Sequence, residues 1–548
     1  NANTVTTLTG AAATMNTVYT AAGNGEISNL GNEDITLDDT TLAIATLNTL
    51  NGNTSGVINA NTVTTLTGAA ATMNTVYTAA GNGEITNLGN EAITLDDTTL
   101  AIATLNTLNG NTTGAINAGT ITTLTGATAT INSIYAAGNS EVSGLGNEAI
   151  TIDDTSLAIA ALNTLNGNTT GVINANTVTT LTGAAATMNT VYAAAGNNEI
   201  TNLGNEAITL NDTSLAIATL NTLNGNTTGV INANTVTTLT GAAATMNTVY
   251  TAAGNNEITN LGNEAITLDD TSLAVTELNT LNDNTTGVVN AATVTTLTGA
   301  YGALNTAYTD AGNNEISNLG NEAITLTANV TVTEAVTLNN HTSGVITGTI
   351  STGDMTSLAA LTETANVYAI TVTDGSVAAS ALNTLNGKTA GTITATAINT
   401  LTGAASDVNT ALTASGINGL GGEAVTLSDT TIAVATLNDL DDNTTGAVNA
   451  NNVTTLTGAA SAMITAYDSN GITNLGNEAI TLDDTTLAIA TLNTLNGKTT
   501  GVINANSVNT LTGAAATMNT VYTAAGNNEI SNLGNEAITL DDTTLAIA

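Results

Sequence analysis

The chain has 548 residues and a formal net charge of −41, set by 43 acidic residues against two lysines, Lys388 and Lys498. With no Pro, Cys, Trp or Phe, it can have neither a disulfide framework nor a cysteine nucleophile, nor the bulky aromatics of a deep core. Nucleic acid is excluded as a partner because nothing neutralises phosphate, and no apolar run approaches the roughly 18 residues a membrane span requires.

Regularly placed Leu, Ile and Val argue against a disordered chain. Their spacing is set by a repeat. The glycine of "LTG" recurs at Gly10, Gly68, Gly126, Gly183, Gly241 and Gly299, 57 or 58 residues apart, and again at Gly403, Gly458 and Gly513, 55 apart. This divides the chain into tandem repeats over 1–326, a diverged unit over 327–391 and shorter repeats over 392–548. A period of this size signals an array in which each unit buries its apolar face against its neighbours.

Within one copy, Val57 to Asn59 reads as a strand, followed by apolar Val63 and Leu66. A helix comes next, with Ala70, Met73, Val76, Tyr77 and Ala80 on one face, Thr67 capping its start and Gly81 ending it. From Leu88 to Gly114 the pattern resets. Ile93 and Leu95 point inward with Thr94 outward, the chain turns at Asp96 and Asp97, and Leu100, Ile102, Leu105 and Leu108 fall on roughly helical spacing. Gly110 is placed as the left-handed stop of that helix.

Strand, turn, short helix and glycine, twice per period, predict an α/β solenoid of leucine-rich-repeat style. The alternative is a pure parallel β-solenoid, because Thr, Val and Ile favour strands. Either stack explains the missing proline, since every internal strand needs its N–H for the ladder. The diverged stretch from Leu326 to Gly391 keeps strand-like alternation and is expected to continue the stack, not to form a catalytic domain.

Three acidic series recur. The first is a pair at the turn: Asp38 and Asp39, Asp96 and Asp97, Asp153 and Asp154, Asp269 and Asp270, Asp483 and Asp484, Asp541 and Asp542, with Asp212 and Asp429 as single members. Such pairs are candidate Ca²⁺ ligands, because Ca²⁺ takes six to eight hard oxygens. The competing and favoured reading is that each aspartate caps the helix that follows it. The second series comprises Glu33, Glu91, Glu148, Glu206, Glu264, Glu322, Glu423, Glu478 and Glu536; the third comprises Glu26, Glu84, Glu141, Glu199, Glu257, Glu315 and Glu529. All are expected to face solvent as unpaired columns whose repulsion a saline medium screens.

Catalysis finds no footing. His341 is the one histidine and reads as a loop residue, no phosphate-binding loop or nucleophile motif occurs, and an active site is one constellation where these acids are copied with every coil. The recurring tyrosines, Tyr19 and Tyr77 among them, read as packing.

The strings "LNTLNGNTTGVINANTVTTLTGAA", "GINGLGGEAVTLSDTT" from Gly416 to Thr431 and "AITVTDGSVAASALNTLNGKTAGTITA" from Ala369 to Ala395 resemble the repeats of very large cell-surface proteins of marine cyanobacteria, of the kind linked to swimming in marine Synechococcus. The resemblance runs along essentially the whole chain and implies an extracellular structural or adhesive role in seawater; it carries over no site residue. The expectation is a non-catalytic rod, coat or filament segment, cut from a longer protein. Its partners would be neighbouring copies and glycans, and it would require no cofactor, Ca²⁺ being the one candidate ligand. The alternative is a ligand-binding solenoid, either a calcium-loaded adhesin or an ice- or crystal-surface binder.

Overall fold

Two apolar spacings alternate in every repeat, and each folds as its period dictates. In the copy that starts at Thr65, strand Thr65–Gly68 leads into helix Ala70–Gly81. Strands Ile85–Thr86, Ala92–Leu95 and Thr99–Ala101 follow, then helix Ile102–Asn111 and strand Ile116–Asn117. Period-2 alternation buries Ile93 and Leu95 and leaves Ala92 and Thr94 outside. The 3.6-residue period buries Met73, Val76 and Tyr77 on one helix and Ile102, Leu105 and Leu108 on the other. Leu100 belongs to the preceding strand.

The computed structural model describes residues 1–138 and 140–544. It shows an α/β solenoid of stacked strand–helix coils, which rules out the pure β form. Two compact units are built this way, one from residues 1–269 with 280–290 and one from 270–279 with 291–548.

Parallel pairing stacks like on like. In the first unit Leu42 pairs with Leu66, Leu66 with Ile93, Ile93 with Ile116 and Ile116 with Val142. One inward column of Leu, Ile and Val therefore rises through five strands at about 4.8 Å per step. Two of those steps, Leu42 to Ile93, advance 51 residues, whereas the sequence returns after 58, as from Gly10 to Gly68. The seven-residue surplus carries the chain past its own column. Each of these sheets accordingly stops at five strands, and the next begins alongside, at Thr99–Ala101.

Two expected helix ends are corrected. Thr67 lies inside a strand, and the N-cap of Ala70–Gly81 is Ala69, with no side-chain cap of its own. Gly110 sits within helix Ile102–Asn111, which ends when Thr112 turns extended. The Thr112 hydroxyl then accepts the Gly114 N–H at 2.9 Å, so a side chain supplies the turn that a left-handed glycine was expected to make. The buried face of the first helix also includes Ala79, while Ala80 is half-buried.

In the second unit the diverged region continues the stack. Strands Ile346–Ile350 and Val367–Thr371 are inserted between Ala323–Leu326 and Ile393–Thr394 in a seven-stranded parallel sheet. Helix Val332–Asn339 starts with a capping box, the Thr331 side chain and Glu334 bonding reciprocally. The next helical element is a single turn, Met355–Leu358.

Candidate functional site

The paired aspartates divide their labour. The first of each pair, Asp38, Asp96, Asp153, Asp269, Asp483 or Asp541, is exposed. The second caps a helix, but not the one that follows it. Asp97 Oδ2 accepts the N–H of Ala70, 27 residues earlier, at 2.8 Å. Asp39, Asp212, Asp429, Asp484 and Asp542 take the N–H of Ala12, Ala185, Ala405, Ala460 and Ala515 at 2.7–2.8 Å. Asp154 takes both the N–H and the hydroxyl of Thr128. Asp270 is half-buried.

Each of these carboxylates thus sits at the positive end of a helix one coil back, satisfying an orphan donor and the macrodipole together. A capping interaction became an inter-coil tie, because stacking places the turn of one coil beside the helix start of its predecessor. Among the described residues no three His, Asp or Glu side chains gather in a way that could hold a metal. Asp97→Ala should lower stability by about 1 kcal/mol, and the loss should appear as faster amide exchange at Ala70–Met73 in the preceding coil. An effect confined to Ile102–Asn111 would instead restore the capping pattern expected from sequence.

The second acidic series is corrected outright. Glu33, Glu91, Glu148, Glu206, Glu264, Glu322, Glu423 and Glu478 are buried, none more than 4% exposed, and only Glu536 in the last described coil is half-exposed. The sequence carried the signal. Glu91 shares the parity of Ile93 and Leu95, and period 2 turns all three inward. Each carboxylate is met by a glycine amide, and all but Glu423 also by a tyrosine hydroxyl: Tyr77 donates to Glu91 at 3.0 Å and the Gly89 N–H at 2.9 Å, whereas Glu423 takes the Gly421 N–H at 2.7 Å in a repeat that has no tyrosine.

The same pairing joins Tyr19 to Glu33, Tyr135 to Glu148, Tyr192 to Glu206, Tyr250 to Glu264, Tyr308 to Glu322 and Tyr467 to Glu478, at 2.8–3.1 Å. Tyr19, Tyr77, Tyr192, Tyr250 and Tyr308 are core residues as expected, Tyr135 and Tyr467 are half-buried, and each also carries a polar duty that spacing alone did not show. The offset from Tyr to Glu, 14 residues in most repeats, 13 for Tyr135 and 11 for Tyr467, was the available clue.

Burial raises the proton affinity of these phenols, and the neighbouring carboxylate raises it further, as for Tyr77 beside Glu91. Burial alone would also raise the Glu33 carboxyl, but donors from Gly31, Asn32 and Tyr19 at 2.7, 3.1 and 3.1 Å outweigh it and hold Glu33 below the ordinary carboxylate range. A depressed folded value means the contribution is complete above the ordinary 4.5 and is lost as pH falls through the lower folded value. With the intrinsic pH dependence of exchange divided out, the protection factors at Asp34–Leu37 should therefore fall in acid, and Glu33→Gln should remove that fall.

The third series is exposed, and most of its members are partnered across coils. Glu84, Glu141, Glu199, Glu257 and Glu529 accept from Asn51, Asn109, Asn166, Asn224 and Asn496 at 2.8–3.3 Å. Asparagine also links neighbouring helices, Asn74 donating to the Thr104 carbonyl and Asn111 to Asn74 Oδ1 at 2.9 and 3.0 Å. On the strand side Asn87, left-handed at φ 64°, donates to Asn59 Oδ1 at 2.7 Å. These amide ties were not anticipated, because the consensus asparagine of leucine-rich repeats is absent.

His341 follows helix Val332–Asn339, and its ring stacks on Tyr308 with centroids 5.2 Å apart and planes 3° from parallel. No helix among the described residues is long and apolar enough to cross a membrane. No family model matches the chain, and no curated protein matches it.

Proposed function

We propose that the chain is a non-catalytic segment of an extracellular surface protein, a passive structural or adhesive element of a coat or filament in a saline medium. One observation carries this reading: the residue types capable of chemistry are copied coil by coil and engaged in holding coils together. Asp97 and its equivalents tie helix starts, Glu91 and its equivalents are buried under tyrosine, and Glu84 and its equivalents bond asparagine. The outer surface carries threonine, asparagine, aspartate and the third glutamate series, with one exposed valine recurring as at Val57, Val172 and Val230; acids so little offset by cations suit solubility in salt water. The resemblance to cyanobacterial surface repeats points the same way.

Mild protease treatment of intact cells of the organism that makes this protein should release its fragments while cytoplasmic markers stay intact. Full protection of the chain until lysis would overturn the extracellular assignment. Screening should also be visible in isolation. With 43 acids and two lysines, the midpoint of thermal unfolding should rise as NaCl is added from low ionic strength and level off as the Debye length shrinks towards about 3 Å near 1 M. A midpoint independent of salt would contradict the saline-surface reading. Millimolar Ca²⁺ that raised the midpoint beyond matched ionic strength would favour the calcium-loaded adhesin.

A further inference from the structure

Asn–Gly occurs ten times in the chain, and the fold treats the copies differently. Asn51, Asn109, Asn166 and Asn224 precede glycines inside helices. Beside Gly387, Gly419, Gly471 and Gly497, atoms of other residues already stand within 4 Å of where a Cβ would be. Gly25 and Gly83 alone among the ten lie outside a helix with nothing within that distance, and Asn24 and Asn82 before them are exposed.

Both turns close a helix in the same way. After Ala70–Gly81 the amides of Asn82, Gly83 and Glu84 donate to the carbonyls of Thr78, Ala80 and Ala79, each at 3.0 Å, and Gly83 is left-handed at φ 83°. Helix ends fray, so breaking one hydrogen bond frees the Gly83 nitrogen, which glycine leaves unshielded by any side chain. The equivalent turns of later repeats do without this glycine. Asn198, Asn256, Asn314 and Asn528 hold the same position at φ 64–66°.

We propose that Asn24–Gly25 and Asn82–Gly83 are sites of spontaneous deamidation. The Gly83 nitrogen gives its proton to solvent and attacks Asn82 Cγ; the N–Cγ bond forms, the Cγ–Nδ2 bond breaks and ammonia leaves, taking up a proton from solvent. Water then opens the succinimide at either carbonyl, giving aspartate or isoaspartate, the latter with the main chain routed through one extra carbon. Either product adds a carboxylate beside Glu84, which Asn82 Nδ2 now faces at 3.4 Å. Repulsion then works against the bond from Asn51 to Glu84 that ties this turn to the preceding coil. Inside a helix the same attack must wait for several hydrogen bonds to open. At ~1 kcal/mol net apiece, each lowers the reactive population about fivefold.

The test holds the full chain in mildly alkaline buffer, below the pH at which its tyrosines ionise, and follows each asparagine by peptide mass spectrometry, with isoaspartyl methyltransferase labelling to separate the products. Asn24 and Asn82 should convert first, at least about fivefold faster than Asn51, Asn109, Asn166 and Asn224, and in denaturant those rates should converge. Gly83→Asn, which copies the turn at Asn198, should slow conversion of Asn82 and leave that of Asn24 unchanged. The comparison within the parent chain stands even without this variant. Equal rates at turn and helix sites in the folded chain, no conversion at Asn24 and Asn82, or undiminished conversion of Asn82 in a folded Gly83→Asn variant would each overturn the proposal.

Discussion

Raised above pH 10, the protein should hold nine of its ten tyrosines protonated and then release their protons in one steep step as the coils unfold. Tyr19, Tyr77, Tyr135, Tyr192, Tyr250, Tyr308, Tyr368, Tyr467 and Tyr522 are all shifted above the ordinary value of 10.0, burial being the largest cause in each. Tyr368, which has Glu363 near it in place of a buried series member, is pushed up to about 12.

The direction of the linkage follows from the sign of the shift. A folded value raised above the unfolded one contributes stability that is complete below pH 10 and is lost as pH rises towards the folded value. Because the shifted phenols recur in every regular repeat but the one around Gly403, the loss falls on nearly all repeats at once, and neighbouring repeats are coupled through their interfaces. Tyrosinate absorbance and far-ultraviolet circular dichroism recorded over the same alkaline titration should change together. Gradual ionisation of nine tyrosines near pH 10, with the dichroism unchanged, would show that the phenols are not held as described. Tyr77→Phe should remove one proton from the step and leave Glu91 with one donor fewer, at a cost of about 1–3 kcal/mol.

The second large effect separates two glycines four residues apart. A Cβ on Gly114 would stand 2.0 Å from the Glu91 carbonyl oxygen and 2.5 Å from its carbon, both backbone atoms of the preceding coil. Gly56, Gly171, Gly229, Gly287, Gly446 and Gly501 meet the equivalent glutamate carbonyl at 1.9–2.2 Å. No rotamer change relieves such a contact, so Gly114→Val must separate two coils and should cost about 3 kcal/mol or more. Gly110, by contrast, lies inside a helix with nothing within 4 Å of a Cβ and no positive φ. Gly110→Ala should stabilise by roughly 0.5–1 kcal/mol through helix propensity.

Hydrogen exchange should show Gly114→Val opening the pairing of Ile93 with Ile116, while the strands near Ile208 and Ile231 keep their protection. A stable Gly114→Val variant would refute the close approach. A destabilised Gly110→Ala variant would return Gly110 to the role of left-handed helix stop.

Gly110 illustrates where legibility ended. Its neighbourhood reads as a helix terminus by composition, and glycine after asparagine is a common stop, yet the stop is made by Thr112 bonding the Gly114 amide. Nothing local distinguishes the two solutions. The choice is made by the demand that Gly114 arrive against Glu91 of the coil below.

The alternation of Ile93 with Thr94 and Leu95, and the spacing of Met73, Val76 and Tyr77, were enough to give strand, helix and the solenoid, because side-chain direction follows from backbone period alone. The same parity argument, carried two residues further back, would have placed Glu91 inside. Charge suggested otherwise, since a carboxylate is rarely buried without a partner, and the partner, Tyr77, lies 14 residues away on another element.

By itself, then, the sequence determined what is periodic: the repeat, the inward and outward faces, the need for glycine, and a surface with almost no cations. Tertiary structure alone decided what crosses from one coil to the next. It gave Asp97 to the helix behind it in place of the one ahead, closed Tyr77 over Glu91, and ended each regular sheet after five strands. The physical reason is that the face a side chain takes is fixed by its own segment, whereas its partner is fixed by the offset at which coils stack. That offset, 51 residues of ladder against 58 of sequence, belongs to the packed stack and to no single repeat.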